Sequence, residues 1–246
     1  MQLISGHDAK ALRLRLLLGV LTLAPCVAQA APAYSIIDLG TLGVSSVGYG
    51  INAAGQVTGY SLIAGDATNH AFVSTSSGLK DLGTLGGSSS AGVGINAAGQ
   101  VAGYSSTVGD AATHAFVSTS SGLKDLGTLG GLNSAGYGIN AAGQVTGYSV
   151  VAGAAGADAF LYDGTAMYDL NALISPGSGW SLTEGLGIND LGQITGDGII
   201  NGVRHAFLAT PVASPVPEPA SVVMLGVGLL ATGAALRRRR HAALND

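Results

Sequence analysis

The chain has 246 residues, 40 of them glycine, a single cysteine and a formal net charge of −4. The charge is unevenly placed: seven of the ten basic residues lie before Ala31 or after Pro211, so residues 31–211 hold three bases against eleven acids, a net −8. A body so acidic is repelled by nucleic acid and by anionic membrane surfaces, which excludes both as its partners.

The first element is an export signal over residues 1–30. Lys10, Arg13 and Arg15 form a basic start, residues 16–27 are an apolar stretch, and Ala28 and Ala30 put small side chains at −3 and −1 of a cleavage site before Ala31. Cys26 lies inside this segment, and Pro25 before it argues against a lipid-anchoring cysteine. The processed chain therefore has no cysteine, no disulfide and no thiol nucleophile.

Residues 31–211 read as one domain made of a fourfold repeat. Gly-Ile-Asn-x-x-Gly-Gln occurs at Ile51, Ile95, Ile139 and Ile188, at spacings of 44, 44 and 49 residues. Phenylalanines 72, 116, 160 and 207 follow an alanine in each copy, and Asp38, Asp81, Asp125 and Asp169 each precede a leucine. A period in the forties with several strands per unit points to a propeller or a related array.

Each unit reads as four short strands, a to d. Strand a ends at Gly-Ile-Asn. The asparagine bonds its own backbone to start a tight hairpin, and the glycine takes the positive φ that closes it. Strand b is Gln-Val-Thr-Gly-Tyr or similar, and strand c is His-Ala-Phe-Val-Ser or similar, with His and Phe on one face and Ala on the other. A glycine turn at Gly78, Gly122 or Gly164 leads into strand d. The first d-type segment, residues 36–42, precedes every a-b-c triplet, and the last triplet has no d strand after it. The arrangement expected from this count is all-β: a four-bladed β-propeller of about 44-residue repeats, closed by the N-terminal strand on the last blade. The alternative is an open β-solenoid.

The repeat resembles the HAF-type extracellular repeat of bacterial surface proteins. The matching residues are Asp81-Leu82-Gly83-Thr84-Leu85-Gly86-Gly87, Gly94-Ile95-Asn96, Gly99-Gln100-Val101 and His114-Ala115-Phe116. That resemblance implies a class of exported protein and no reaction.

Signals for chemistry are few. His70, His114 and His205 occupy one repeat position, filled by Asp158 in the third copy, and are expected to be structural rather than metal ligands. The periodic aspartates are expected to accept backbone hydrogen bonds beside turns. Nucleophile-elbow, phosphate-loop and paired-histidine motifs are absent, and no carboxylate pair stands apart from the repeat. The reading is therefore of a chain without catalytic residues, metal or cofactor. An insertion before the fourth triplet carries Trp180, the chain's one tryptophan. It either stacks on a sugar ring as a ligand contact or fills a gap where the repeat changes length.

The tail has three parts: a proline-rich linker at residues 212–219 ending in Val216, Pro217, Glu218 and Pro219, an uncharged apolar run at 220–236, and a basic end at 237–246 opening with Arg237, Arg238, Arg239 and Arg240. A run of seventeen uncharged residues is the lower limit of a transmembrane helix, and the arginines hold the C-terminus inside as a membrane stop. This order resembles the PEP-CTERM sorting signal. The resemblance implies processing by signal peptidase and an exosortase-like enzyme, a membrane-anchored precursor, and delivery to the cell surface or extracellular matrix of a Gram-negative bacterium. The function expected is a non-catalytic, exported repeat protein that contacts exopolysaccharide or surface proteins. The alternative is an envelope enzyme acting on glycans.

Overall fold

The computed structural model describes residues 33–65, 68–154 and 156–212. The predicted signal peptide, the sorting motif, the apolar run and the arginine cluster lie outside the described residues. Among the described residues no helix is long and apolar enough to cross a membrane. Contacts divide the chain after Asp38. In the first unit so defined, residues 33–38 form no strand, and Tyr34, Ile36 and Ile37 are exposed.

The second unit is all-β and holds four repeats. Repeat 1 is β1 (Gly43–Ile51), β2 (Val57–Ile63), β3 (Asn69–Thr75) and β4 (Gly78–Gly83). Repeat 2 is β5 (Gly86–Ile95), β6 (Val101–Thr107), β7 (Thr113–Thr119) and β8 (Gly122–Asp125). Repeat 3 is β9 (Gly130–Ile139), β10 (Val145–Val151), β11 (Ala157–Tyr162) and β12 (Met167–Asp169), followed by a one-turn helix α1 (Leu170–Leu173). Repeat 4 has three strands, β13 (Trp180–Ile188), β14 (Ile194–Ile200) and β15 (Val203–Ala209). Each repeat is an antiparallel meander, and a single parallel bridge between Thr113 and Asn133 joins the second sheet to the third.

The a-b hairpin forms as its sequence dictates. Asn52 Oδ1 accepts from Ala54 N and Gln56 N, Gly55 takes φ 78° to close the turn, and Asn52 Nδ2 donates to Gln56 Oε1. Asn52 Nδ2 also donates to Asn96 O, Asn96 Nδ2 to Asn140 O, and Asn140 Nδ2 to Asn189 O. The turn residue of each repeat is thus pinned to the turn of the next.

Each sheet has a front face toward the preceding repeat and a back face toward the following one. Strand alternation puts Ala71 and Val73 on the back of repeat 1, where they meet Val101 and Phe116 on the front of repeat 2. Ala102, Ala115 and Val117 meet Ile139, Val145 and Phe160 in the same way, and Ala159 meets Leu182, Ile194 and Phe207. The core is therefore three sandwich layers between consecutive sheets. The layers are thin at strand a because a glycine faces the preceding sheet. A Cβ added at Gly92 would lie 2.2 Å from Thr58 Oγ1, and one at Gly185 would lie 2.0 Å from Thr146 Oγ1.

The segment expected to close a ring, residues 36–42, forms no strand, and β15 pairs with β14 alone. Leu42 N donates to Ser61 Oγ and Ser46 Oγ donates to Gly40 O, so residues 40–42 are held as the entry into repeat 1. Among the described residues, repeats 1 and 4 share no strand pairing, and the four sheets form an open stack rather than a closed propeller. Both ends are uncovered. Ile51 is 70 % exposed against 9 % for Ile139, and Leu208 is 68 % exposed against 8 % for Val73.

The asparagine ladder can be tested by position. Asn96 is buried and serves both its own turn and the repeat after it, whereas Asn189 is exposed and among the described residues its side chain serves only its own turn. Asn96→Ala should lower the unfolding free energy by about 2–3 kcal/mol because it strands buried acceptors, and Asn189→Ala by about 1 kcal/mol. Urea unfolding of the two variants measures the difference.

Candidate functional site: a tyrosine row ending in an ionic cluster

The repeated histidines do not converge. His70 Nδ1 lies 2.9 Å from Asp81 Oδ2 and His114 Nδ1 lies 2.8 Å from Asp125 Oδ2, each pair joining strands c and d of one repeat. The same aspartates accept from Gly83 N and Gly127 N at the turn that leaves strand d. The backbone role expected for them is therefore present, together with a histidine contact that the sequence reading did not draw. The signal was available, since His and Asp recur 11 residues apart in two copies. In repeat 3 Asp158 replaces the histidine. Burial, and then the nearby charge of Asp169, pushes its carboxyl above the usual range.

Among the described residues no group of three His, Cys, Asp or Glu side chains is placed to hold a metal. Trp180 begins β13 rather than lying on a loop. It is half-buried, meets His205 and Phe207 edge-on at 6.4 and 6.5 Å between ring centroids, and packs on the layer between repeats 3 and 4. It also lines a groove of about 690 Å³ with Leu173, Ile174 and the β15 edge. The sorting residues Val216, Pro217, Glu218 and Pro219, the stop Arg237 to Arg240 and the cleavage residues Ala28, Ala30 and Ala31 lie outside the described residues.

The feature that sequence reading missed is a row of tyrosines. Tyr60, Tyr104 and Tyr148 stand in the middle of strand b of repeats 1 to 3, at a spacing of 44 residues. Strand a carries a bulge between its last glycines in every repeat, and the residue at that bulge is Tyr49, Val93, Tyr137 or Leu186. A bulge re-aims the side chain it carries. It brings Tyr49 to within 5.6 Å of Tyr60 and Tyr137 to within 6.0 Å of Tyr148, centroid to centroid. Tyr104 holds the same strand position between them, near enough that ionisation of Tyr60 or Tyr148 would oppose its own, so the pairs form one row across the stack. Burial raises the Tyr104 hydroxyl above its ordinary value. For Tyr137 burial is again the largest cause, followed by the Glu184 carboxylate beside it.

The row ends in charge. In repeat 4 Asp197 stands at the position of Tyr148, and Glu184 at that of Ala135. Arg204 Nη2 donates to Asp197 Oδ2 at 2.5 Å and lies 3.8 Å from Glu184 Oε2. Tyr148, Thr183, Glu184, Ile199 and Arg204 line a groove of about 480 Å³ at the junction of repeats 3 and 4. An apolar-faced aromatic row with hydroxyl edges and a bidentate-capable ionic end is suited to hold a polyol chain: rings stack on its CH faces, and the ions bond its hydroxyls.

Residues 215–240 match the PEP-CTERM protein-sorting motif. That motif marks the chain as exported and sorted through processing by an exosortase-like enzyme. No curated protein matches the chain.

The third histidine position gives a test. An aspartate with a raised pKa is destabilising once ionised, and that penalty fades as pH falls through its folded value. Asp158→His restores the pair seen in repeats 1 and 2 with Asp169, and removes a like charge. Scanning calorimetry at pH 7 should show a rise of about 2–4 °C, corresponding to about 1 kcal/mol in a domain of this size. Asp158→Asn should give a gain at pH 7 that shrinks at pH 4.

Proposed function

We propose that the body is a non-catalytic binding module of HAF-repeat type, delivered to the cell surface or matrix by its sorting tail, where it contacts neutral exopolysaccharide. The observation that carries this reading is the tyrosine row from Tyr49 to Tyr137 that meets Glu184, Asp197 and Arg204 at its end. Contacts repeated every 44 residues suit a polymer better than a single small ligand, because weak contacts on a regular chain add through effective concentration. The net −8 of residues 31–211 disfavours an acidic polymer unless cations bridge it.

Affinity electrophoresis in gels containing the producing cell's own polysaccharide tests the row. Tyr104→Ala with Tyr148→Ala should weaken retention by roughly tenfold, about 1.4 kcal/mol. Trp180→Ala should leave retention unchanged and lower stability. Equal retention of the tyrosine variant and the unmodified chain removes the row as the contact.

The competing reading, an envelope enzyme acting on glycans, draws on the same groove, where Glu184 and Asp197 flank Arg204. Shortening of the polysaccharide by the purified chain would establish it in place of the binding reading. Processing is tested separately by intact mass. The surface form should begin at Ala31 and end near Pro217-Glu218-Pro219, and a released form that keeps Arg237 to Arg240 contradicts sorting by cleavage.

A further inference from the structure

We propose that the chain assembles head to tail with further copies of itself, the back face of repeat 4 in one copy receiving the front of repeat 1 in the next. The chain already makes this junction three times, and among the described residues its two halves are left uncovered at the ends of the stack.

Three elements recur at the internal junctions, and a fourth, inside the repeat, sits on the strand d that leads to the next. The turn asparagine donates to the next turn: Asn52 to Asn96 O, Asn96 to Asn140 O, Asn140 to Asn189 O. A strand-a glycine lies on a strand-b threonine, as Gly92 on Thr58 and Gly185 on Thr146. A strand-a serine accepts from the alanine of strand c, as Ser90 from Ala71 N and Ser134 from Ala115 N. A strand-d aspartate meets the histidine of strand c, as Asp81 with His70 and Asp125 with His114.

Repeat 4 presents the donor side of every element. Asn189 donates only to Gln193 Oε1 among the described residues. Thr195 and Ala206 are exposed, whereas Thr58, Thr146, Ala71, Ala115 and Ala159 are all fully buried. His205 stands where His70 and His114 stand, and among the described residues no carboxylate lies within ion-pair distance of it. Repeat 1 presents the receiving side. Gly48 is exposed, whereas Gly92, Gly136 and Gly185 are buried, and Ser46 holds the position of Ser90 and Ser134.

The entry into repeat 1 already has the shape of a crossing from a preceding repeat. Asp38-Leu39-Gly40-Thr41-Leu42-Gly43 is identical to Asp81-Leu82-Gly83-Thr84-Leu85-Gly86. Gly40 has φ 78° where Gly83 has 74° and Gly127 has 73°. Ser46 Oγ donates to Gly40 O at 2.8 Å, as Ser90 Oγ donates to Gly83 O and Ser134 Oγ to Gly127 O, both at 2.6 Å. Leu42 N bonds Ser61 Oγ as Leu85 N bonds Ser105 Oγ and Leu129 N bonds Ser149 Oγ. In sequence, residues 36–39 thus stand before repeat 1 as a strand d stands before the next repeat, and among the described residues repeat 4 is the one repeat without a strand d. Strand addition of residues 36–39 to the β15 edge, unpaired among the described residues and beside the groove lined by Leu173, Ile174 and Trp180, completes repeat 4 of the neighbouring copy and sets Asp38 against His205. Tyr49 of the incoming copy then meets Asp197, extending the tyrosine row from one chain to the next. A junction of this kind between unlike surfaces propagates rather than closing on two copies.

The absence of cysteine outside residue 26 allows a direct test in a Cys26→Ser background of the full chain. At the internal junction a Cβ on Gly185 lies 3.2 Å from Thr146 Cβ, close to the ~3.5–4.5 Å span of a disulfide. Chains carrying Gly48→Cys mixed with chains carrying Thr195→Cys should give a cross-linked dimer under mild oxidation, and the double variant should give a ladder of multimers. No dimer from the mixture, or a double variant that cross-links only within one chain and so closes a ring, overturns the proposal. Light scattering on the unmodified chain guards against variants that misfold, and the mass should rise with concentration. A monomer mass independent of concentration overturns the proposal as well. His205→Asp, on an exposed residue, should weaken association at least tenfold while lowering the melting temperature only by what the lost edge contact with Trp180 supplies, and Asp38→His in the same chain should restore association. Loss of stability in place of loss of association counts against the pair.

Discussion

Everything in this fold depends on how closely one sheet is allowed to approach the next. Strand a carries a glycine that the preceding sheet approaches closely, through a threonine at Gly92 and Gly185, and a side chain not bonded to that neighbour would drive the layers apart. With the layers close, small residues suffice to fill them: Ala71, Ala102, Ala115 and Ala159 are each fully buried, with one phenylalanine per repeat supplying most of the volume. Close layers also bring the turn of each repeat within reach of the next, and the asparagine ladder follows from that distance rather than from turn chemistry alone. The chain's glycine content is thus a packing requirement as much as a turn requirement.

The same constraint explains where side chains with binding potential gather. The bulge that strand a makes between its close-packed glycines turns Tyr49 and Tyr137 toward the tyrosines in the middle of strand b. There the paired rings lie tilted against each other, and a partly buried aromatic of this kind can serve both stability and contact. Repeat 4 departs from the pattern at these positions, replacing tyrosine and alanine by Asp197 and Glu184 with Arg204 between them. Exceptions to a repeat carry more functional information than the repeat does, because the repeated residues are already accounted for by the shared turn and core.

Strand order, the four copies, the a-b hairpin and the facing of His, Ala and Phe on strand c were legible in the sequence, because glycine at positive φ and a period of two leave few alternatives for Asn52 to Phe72. Ring closure was not. Counting strands reveals that residues 36–42 and repeat 4 are complementary, but not whether both belong to one chain. The tyrosine row was hidden for another reason. Tyr60, Tyr104 and Tyr148 were visible as a repeat, but Tyr49 and Tyr137 join them only because a one-residue bulge reverses the facing that simple alternation assigns. Trp180 was legible as an exception, and its setting against Phe207 follows from the missing strand d, which leaves space beside β15 that the insertion partly fills.

The end of the stack shows how the two roles coexist. A terminal repeat normally needs a polar outer face to stay soluble. Here the charges sit only on the inner part of the back face, at Glu184, Asp197 and Arg204, while Thr195, Ala206 and Leu208 keep the composition of an internal junction although they are exposed. A face designed only as a cap would have replaced those three first, since they are the residues that an internal repeat buries. Their retention, with the Asp38 to Gly43 sequence repeated intact at the other end of the body, is what a surface under constraint to receive another repeat looks like. The ionic cluster then acts on register: a copy shifted along the sheet would bury Asp197 or Glu184 against apolar side chains, at a cost that only the aligned junction, with a tyrosine hydroxyl opposite, avoids.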